Sequence, residues 1–271
     1  MATHRHVFFL GTGSRQRSCV ATRTAGPSRG AILHVHAFAE ELNRSRPMCA
    51  VAAQAFAEAG WLVLQIDGHG CGDSLGESGD ATWDSWLDDL DQARAWLQAQ
   101  GHDRATLWTL RGGCLLAASW LQHRGLDWPL LLWQPMASGK QLLTQFLRLR
   151  LVDDGGPEGK HIMTQLRQSL AEGRSVDIAG YVISAVLAAG LEAASLDALK
   201  TGQAPLALIE VGGATGTALS PASETQLARW REAGRRCDAT VVSGPKFWQS
   251  YDTRMAPDLV PASLRLLEAL A

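Results

Sequence analysis

The chain lacks a charge imbalance and a long apolar run, and each absence excludes a class of protein. Its 271 residues carry 25 Lys and Arg against 27 Asp and Glu, which gives no general electrostatic attraction to nucleic acid or anionic membranes. The longest uncharged, mainly apolar stretch, residues 178–191, is shorter than the ~20 residues that cross a bilayer. The apolar run at residues 7–10 is too short for a signal-peptide core. We therefore expect a cytoplasmic protein with no nucleic-acid partner and no membrane span.

Cysteine is scarce, and its positions follow neither a ligand pattern nor a disulfide pattern. The five cysteines are odd in number and widely scattered, without a Cys-x-x-Cys pair or a Cys/His spacing typical of zinc sites. The glycine-rich segment 68–72 lacks both the Gly-Lys-Ser/Thr ending of a phosphate loop and the spacing of a dinucleotide-binding loop. We expect no metal, no cofactor and no disulfide framework.

Hydrophobic residues make up 46% of the chain, and they form short apolar runs that alternate with segments of helical period. The runs at 7–10 and 19–22 predict an opening hairpin. Further strands are predicted at 31–36, 62–67, 105–110, 130–133, 206–211 and 239–243. Helices are predicted at 47–59, 83–97 and 112–123, and again from Pro221 and from about Pro261. This order predicts an α/β fold with about eight strands, mostly parallel and flanked by helices, with an antiparallel hairpin at one edge.

Residues 137–200 interrupt the alternation of strands and helices. They are mostly of helical pattern and lie between the predicted strands at 130–133 and 206–211. An insertion of this size over the carboxyl ends of the strands is typical of a lid, so we predict a helical cap here. Because no linker rich in Pro, Gly or Ser separates a second domain, we expect one domain over residues 1–271 that contains this cap.

Three loops that follow predicted strands carry unusual residues at the edge where open parallel sheets bind ligands. Residues 34–46 read HVHAFAEELNRSR, residues 67–74 read DGHGCGDS, and residues 109–114 read TLRGGC. The second loop resembles the D-x-x-G-x-G-x-S turn after the fourth strand of the α/β-hydrolase fold. The third falls where that fold places its nucleophile elbow, G-x-S-x-G, a sharp strand-to-helix turn that exposes its central residue.

The chain also resembles one family of this fold, along nearly all of its length. The strings HVHAFAEELNRSR, QIDGHGCGDS, ATWDSWLDDL, LWTLRGG and GPKFW resemble exosortase A system-associated hydrolase 2. That family is encoded beside exopolysaccharide genes and exosortase (PEP-CTERM) protein-sorting genes in Gram-negative bacteria. The resemblance implies a hydrolase with a small-molecule or acylated substrate and a protein partner in the exosortase system. Whether the chain forms a homodimer stays open.

The resemblance brings no complete active site with it. Arg111 stands at the central elbow position, where a nucleophile belongs, and Thr109 replaces the first elbow glycine. The loop that starts at Glu210 shows no acid in the expected place, and Trp248 lies in the segment that should hold the catalytic histidine. The ordinary serine-hydrolase mechanism therefore cannot be assigned from the sequence.

Arg111 at the elbow has two interpretations. A helix N-terminus beside it repels a cation, so the guanidinium requires solvent or an anion. That anion is either a protein carboxylate, from Glu40, Glu41 or Asp73, or the carboxylate or phosphate of a bound ligand. In the second case the predicted ligand-binding residues are Arg111, Gly112, Ala37, Phe38, Glu40, Asp73 and Trp248.

The candidate catalytic residues are His36, Cys71 and Glu41, and each has an alternative structural role. His36, at the end of a predicted strand, is either an acid, a base or an oxyanion donor, or else a loop histidine bonded to backbone. Cys71 is either a reactive thiol or a space-filling side chain. Glu41 and Glu40 form either a proton-transfer pair or an acidic pair that opens a helix.

Two functions follow from these alternatives. The first is an enzyme that hydrolyses an ester or thioester, or transfers an acyl group, with a non-standard active site that lacks the Ser-His-Asp triad. The second is a catalytically inactive hydrolase-fold protein that binds an anionic or acylated ligand or a partner protein. Because one fold hosts many functions, the fold alone does not decide between them.

Overall fold

A computed structural model describes residues 2–151, 159–212 and 217–270. The strands are β1 (Thr3–Leu10), β2 (Arg17–Thr24), β3 (Gly30–Val35), β4 (Trp61–Ile66), β5 (Thr106–Leu110), β6 (Leu130–Trp133), β7 (Val176–Ile178), β8 (Tyr181–Ile183), β9 (Leu206–Val211) and β10 (Cys237–Val242). The α-helices are α1 (Glu40–Glu58), α2 (Trp83–Ala99), α3 (Gly112–Arg124), α4 (Gly139–Leu147), α5 (Gly159–Ala171), α6 (Ala185–Ala193), α7 (Pro221–Glu232) and α8 (Leu259–Leu270).

Eight of the strands form one sheet, in the order β1-β2-β4-β3-β5-β6-β9-β10. β2 pairs antiparallel with both β1 and β4, whereas all pairs from β4 to β10 are parallel. This confirms the predicted eight-stranded, mostly parallel sheet with an antiparallel hairpin at one edge. In the centre, Val35 of β3 lies beside Thr109 of β5, so the loops after these two strands meet at the carboxyl edge.

Helices cover both faces of the sheet, which explains the nearly continuous apolar strands. Every residue of β5 is buried. On one face, the ring of Trp108 lies edge-on to Phe56 of α1 and Trp133 of β6, with centroids 5.0 and 4.9 Å away. On the other face, Trp120 of α3 packs edge-on against Trp128 at 5.2 Å. This packing fixes the strand ends from which the loops emerge.

Helix α1 begins at Glu40, seven residues before the predicted helix at 47–59, and carries Pro47 inside it. The difference has a physical reason: the first two turns are mostly polar and show no apolar stripe. Even so, Leu42 and Ser45 are buried, and the Ser45 hydroxyl donates a hydrogen bond to the Leu42 carbonyl at 3.0 Å. The earlier start places Glu40 and Glu41 in the first helical turn, where the helix dipole stabilises carboxylates.

The chain between β6 and β9 contains α4, α5 and α6, and also the antiparallel hairpin β7–β8, which the sequence pattern did not predict. Gly139 lets α4 approach the end of α6, because a Cβ there would collide with the Leu191 carbonyl. The Ser184 hydroxyl donates to the Ala81 carbonyl at 2.7 Å and ties the hairpin to the start of α2. Within the described ranges, no helix combines the length and apolarity needed to cross a membrane.

Candidate functional site

Arg111 lies at the apex of the turn that joins β5 to α3. Its backbone has φ 53° and ψ −115°, a positive-φ conformation that residues other than glycine rarely adopt. Position 113, two residues after Arg111, requires glycine because a Cβ there would collide with the carbonyl oxygens of Val35 and His36. A Cβ on Gly112 would lie 2.6 Å from a methyl carbon of the α4 side chain Leu142. The turn thus has the geometry of a sharp strand-to-helix elbow, with arginine at its centre.

A second turn of the same conformation lies beside the first. Ala39, between β3 and α1, has φ 49° and ψ −124°. The two turns are in close contact, since a Cβ on Gly112 would lie 3.0 Å from the Cβ of Phe38. The N-terminal ends of α1 and α3 therefore meet at one place, and the positive ends of both helix dipoles favour an anion there.

The guanidinium of Arg111 is paired inside the protein. Its Nε donates to Glu41 Oε1 at 3.0 Å, and its Nη2 lies 2.9 Å from the same oxygen. Nη2 also donates to Gln145 Oε1 at 3.0 Å, and Nη1 contacts Met136 Sδ at 2.8 Å. Each side chain of the ion pair is only 8% exposed. Of the two interpretations of Arg111, the geometry shows the internal pair, with Glu41 as the partner.

The two adjacent glutamates differ in their surroundings. Burial raises the pKa of Glu41, and the charge of Arg111 opposes that rise. Burial also raises the pKa of Glu40 to about 7, and the charge of Glu41 adds to the effect. In each carboxyl group Oε2 is buried and has no hydrogen-bond partner among the described residues. The site thus holds one carboxylate neutralised by arginine and a second carboxyl group that ionises near neutral pH.

A cavity of about 480 Å³ opens beside this ion pair. Its charged lining residues are Glu40, Glu41, Arg44, Arg111, Arg148 and Lys246, which give an excess of positive charge. Its apolar lining residues are Phe38, Leu142, Phe146, Leu149 and Trp248. A cavity with this lining can hold a molecule that combines an anionic group with an apolar part.

The segments after β9 and β10 are where a hydrolase-like acid and histidine were expected. Glu210 of β9 instead accepts hydrogen bonds from the Ser220 amide and hydroxyl and the Ser223 hydroxyl, at 2.6, 2.7 and 2.6 Å, and so stabilises the start of α7. Residues 213–216 of the expected acid loop lie outside the described residues. After β10, the buried ring of Trp248 lies 5.7 Å from Arg111 Cζ. An indole rather than an imidazole therefore packs against the elbow.

Both ring nitrogens of His36 are bonded to backbone. Nδ1 lies 2.7 Å from the Ala37 carbonyl, and Nε2 accepts from the Gly68 amide at 3.2 Å. This pattern requires the neutral ring with its proton on Nδ1, and burial lowers the pKa of His36 in agreement. His36 joins the loops after β3 and β4 and has no ring nitrogen left for proton transfer.

Cys71 and Asp73 lie away from the Arg111 cavity. Cys71 lines a different cavity, below hairpin β7–β8, and burial raises the pKa of its thiol to about 12, so the thiol stays protonated at neutral pH. Asp73 is exposed on the loop after β4, and its carboxylate is not the one that pairs with Arg111. The three candidate catalytic residues, His36, Cys71 and Glu41, are therefore not gathered at one cavity.

The structure brings part of the predicted ligand-binding set together. Of that set, Phe38, Glu40, Arg111 and Trp248 line the cavity, together with the catalytic candidate Glu41, and Ala37 and Gly112 belong to the two turns beside it. The sequence reasoning missed Met136 and Gln145, which bind Arg111. Met136 follows β6, the neighbour of β5, so its position after a central strand could have indicated that it lies near Arg111. Gln145 carried no such signal, because its position depends on how α4 packs.

The described part of the chain offers no cluster of metal-ligating side chains. Over residues 2–151, 159–212 and 217–270, no group of three or more His, Cys, Asp or Glu is placed to hold a metal ion. All five cysteines are free thiols. The site is therefore built from an ion pair, two strained turns and a cavity.

Comparisons with known proteins identify the fold. No family model matches the chain, and no curated protein matches it significantly. Est1E from Butyrivibrio proteoclasticus, solved with ferulic acid bound, aligns with a TM-score of 0.66 at 10% identity over 97% of this chain and 98% of that one. An α/β serine hydrolase without a lid from Xanthomonas campestris aligns with a TM-score of 0.58 at 13% identity, over 99% and 96%. The thioesterase domain from the curacin biosynthetic pathway gives 0.55 at 15% identity, over 98% and 99%. The chain therefore has the α/β-hydrolase fold.

Proposed function

We propose that this chain is a hydrolase-fold protein of the exosortase and exopolysaccharide system that binds an anionic, acylated ligand without Ser-His-Asp catalysis. The observation that carries the proposal is Arg111 at the apex of the elbow, locked onto Glu41. A guanidinium stays protonated and has no lone pair for attack, so it is neither a nucleophile nor a base. The strained elbow backbone nevertheless persists, at a cost of about 1–3 kcal/mol, which favours a retained binding role.

The chemistry of the cavity supports an amphipathic anion as the ligand. Because Glu41 neutralises Arg111, the positive charges that face a ligand are Arg44, Arg148 and Lys246, opposed by Glu40. Apolar side chains complete the walls. The protein Est1E, of the same fold, binds ferulic acid, and another neighbour is a thioesterase domain. These two neighbours support an organic acid or an acyl compound as the ligand. The resemblance to exosortase A system-associated hydrolase 2 supports the proposed biological setting.

The segment 137–200 takes the role of a cap in this proposal. Its helix α4 contributes Leu142, Gln145 and Phe146 to the wall of the cavity. Gln145 also holds Arg111, so the cap and the elbow are joined by a hydrogen bond of 3.0 Å. A ligand in the cavity is thereby enclosed between the cap and the carboxyl edge of the sheet.

Calorimetry with decanoate, decyl phosphate and uncharged decanol tests the binding function. We expect the two anions to bind and decanol to bind at least tenfold more weakly, because each charge-assisted hydrogen bond contributes about 1.5–3 kcal/mol. Arg148→Ala and Lys246→Ala should each weaken decanoate about tenfold. Lys160→Ala, which removes an exposed charge on α5 away from the cavity, is the matched control. Equal affinity for decanol and decanoate would refute the proposal.

A second candidate function is hydrolysis or transfer of the acyl group, and Glu40 is the observation that favours it. A carboxyl group whose pKa burial raises to about 7 is suited to general-base catalysis at neutral pH. Turnover of p-nitrophenyl decanoate or a decanoyl thioester, lost in Glu40→Gln with decanoate binding intact, would establish an enzyme. Loss of turnover in Cys71→Ala would instead indicate thiol chemistry. No turnover together with tight anion binding supports the first function.

A further inference from the structure

A second cavity, of about 320 Å³, lies between the loop after β4 and hairpin β7–β8. Its walls are mainly apolar, and they come from α1, α2, the hairpin and α6. The apolar side chains that matter here are Phe38, Leu42, Trp86, Val182, Ile183 and Leu187. Among the described residues, no Lys, Arg, Asp or Glu side chain lines it. We call it the tail cavity, and we call the charged cavity beside Arg111 the head cavity.

The start of α1 forms a ridge between the two cavities. Glu40, Glu41 and Arg44 face the head cavity, whereas Leu42 and Asn43 face the tail cavity. The helical turn thus presents its charged positions to one side and its uncharged positions to the other.

Among the residues that the structure describes, Phe38 is the one side chain that lines both cavities. Its ring contacts Trp86 on the tail side and Phe146 on the head side, both edge-on, with centroids 5.9 and 5.3 Å away. Phe38 is therefore part of the partition between the cavities. A rotation of this ring would connect a charged chamber to an apolar one.

We propose that the tail cavity holds the unbranched apolar tail of the ligand whose anionic group lies in the head cavity. The ligand class is then a single-chain amphiphile with a carboxylate or phosphate head. This inference rests on the proposed binding function and adds the position and length of the tail. A volume of about 320 Å³ holds about ten groups of the size of a water molecule, at ~30 Å³ each, so the tail is of medium length.

Hairpin β7–β8 forms the roof of the tail cavity, and its attachments indicate a closed cavity of fixed length rather than an open groove. Asn43 of α1 donates a hydrogen bond to the Tyr181 hydroxyl of the hairpin at 2.9 Å. The hairpin is also tied to the start of α2 through Ser184. Because the roof is tied down at these two points, a tail longer than the cavity gains no further buried surface.

A chain-length series tests this inference. Calorimetry with n-alkyl carboxylates from hexanoate to hexadecanoate, repeated with alkyl phosphates, measures how affinity depends on length and on the head group. Burial of each added methylene group should tighten binding about fourfold until the cavity is full, at about ten carbons, and the affinity should then level off. Carboxylates and phosphates should show the same break, which is the chain length at which affinity stops rising.

Filling the tail cavity should move that break. Val182→Trp and Leu187→Trp should move the break to shorter chains, because the indole takes up space that the tail needs. Val186→Trp is the matched control, because Val186 is 63% exposed on α6 and does not line this cavity. Phe38→Ala should move the break to longer chains, since loss of the ring from the partition enlarges the space open to the tail.

Cys71 provides an independent reporter, since it lines the tail cavity and is partly exposed, whereas the other four cysteines are buried. Intact-mass measurement follows its slow modification by methyl methanethiosulfonate, with Cys71→Ser as the blank. Decanoate should slow the reaction severalfold, and acetate at the same concentration should not.

The outcomes separate the two proposals. If carboxylates bind but affinity does not depend on length, or if Val182→Trp changes nothing, the tail assignment is overturned and the binding function stands. If no carboxylate or phosphate of any chain length binds to the wild-type protein, the proposed binding function itself is refuted. If decanoate binds tightly and leaves Cys71 unprotected, the tail lies elsewhere and the inference is overturned.

Discussion

Replacement of Arg111 by methionine tests the electrostatic centre of the site. Both side chains of the ion pair are 8% exposed, and Arg111 Nε and Nη2 bind one oxygen of Glu41 at 3.0 and 2.9 Å. Methionine fills a similar volume but carries no charge, so the carboxylate of Glu41 is left buried without a counter-charge. Removal of one partner from a buried pair costs about 3–5 kcal/mol.

Urea and thermal unfolding, followed by tryptophan fluorescence, measure this loss. At about 2–4 °C per kcal/mol, we expect Arg111→Met to lower the Tm by about 6–20 °C. The double variant Arg111→Met/Glu41→Leu should recover at least about 2 kcal/mol of the unfolding free energy, because an apolar pair can replace a buried ion pair at little cost. The control Arg148→Met, at an exposed cavity residue, should change it by less than about 0.5 kcal/mol.

The pH dependence of the same variant gives a second check. Without Arg111, the pKa of buried Glu41 rises further, so the folded state binds a proton more readily than the unfolded state. The stability deficit should therefore be largest above this raised pKa and should shrink as pH falls through it. A cost below about 1 kcal/mol, or additive effects in the double variant, would show that the pair behaves like a solvated surface pair and would refute the reasoning.

Three further predictions concern the turn, the second glutamate and the buried histidines. Gly113→Ala should cost more than about 3 kcal/mol in urea unfolding because its Cβ meets backbone, whereas Gly125→Ala, with positive φ and free space, should cost about 1–2 kcal/mol. Decanoate binding should weaken from pH 6 to 8.5 as Glu40, with its pKa raised to about 7, ionises, and calorimetry of Glu40→Gln should show a flat profile. Because burial lowers the pKa of His34 to about 3 and also that of His36, unfolding should become easier below about pH 6.5, where only the unfolded histidines gain protons. Urea unfolding of His34→Gln should show less of this loss, and an identical pH profile would contradict it.

Much of the fold could be predicted from the sequence because its apolar runs alternate regularly with segments of helical period. Strand β6 occupies the predicted residues, Leu130–Trp133, since an unbroken apolar run between helices leaves no other choice. The polar first turns of α1 hid its true start, because only tertiary contacts bury Leu42 and Ser45. Hairpin β7–β8 was missed because strands of three residues are too short to show a period.

The site could be predicted only in part, because pairing depends on the rotation of a helix. The sequence offers three carboxylates near Arg111, from Glu40, Glu41 and Asp73. Once α1 starts at Glu40, successive side chains point about 100° apart, so Glu41 turns inward and Glu40 stays half-buried. Asp73 lies exposed on another loop. The choice of Glu41 therefore follows from the rotation of α1, which the acidic pair at the start of the helix does not by itself reveal.

The two strained turns explain how an arginine can occupy the elbow. Each turn starts a helix, so Glu41, in the first turn of α1, is stabilised by the dipole of α1, while Arg111, just before α3, is opposed by the dipole of α3. The ion pair joins the favoured charge to the disfavoured one, and the two dipole effects offset each other. Because the guanidinium also bonds to Gln145 and contacts Met136, few donors are left for a ligand. An anion in the cavity therefore meets a neutral pair at the elbow, and its affinity is set by the cations of the wall.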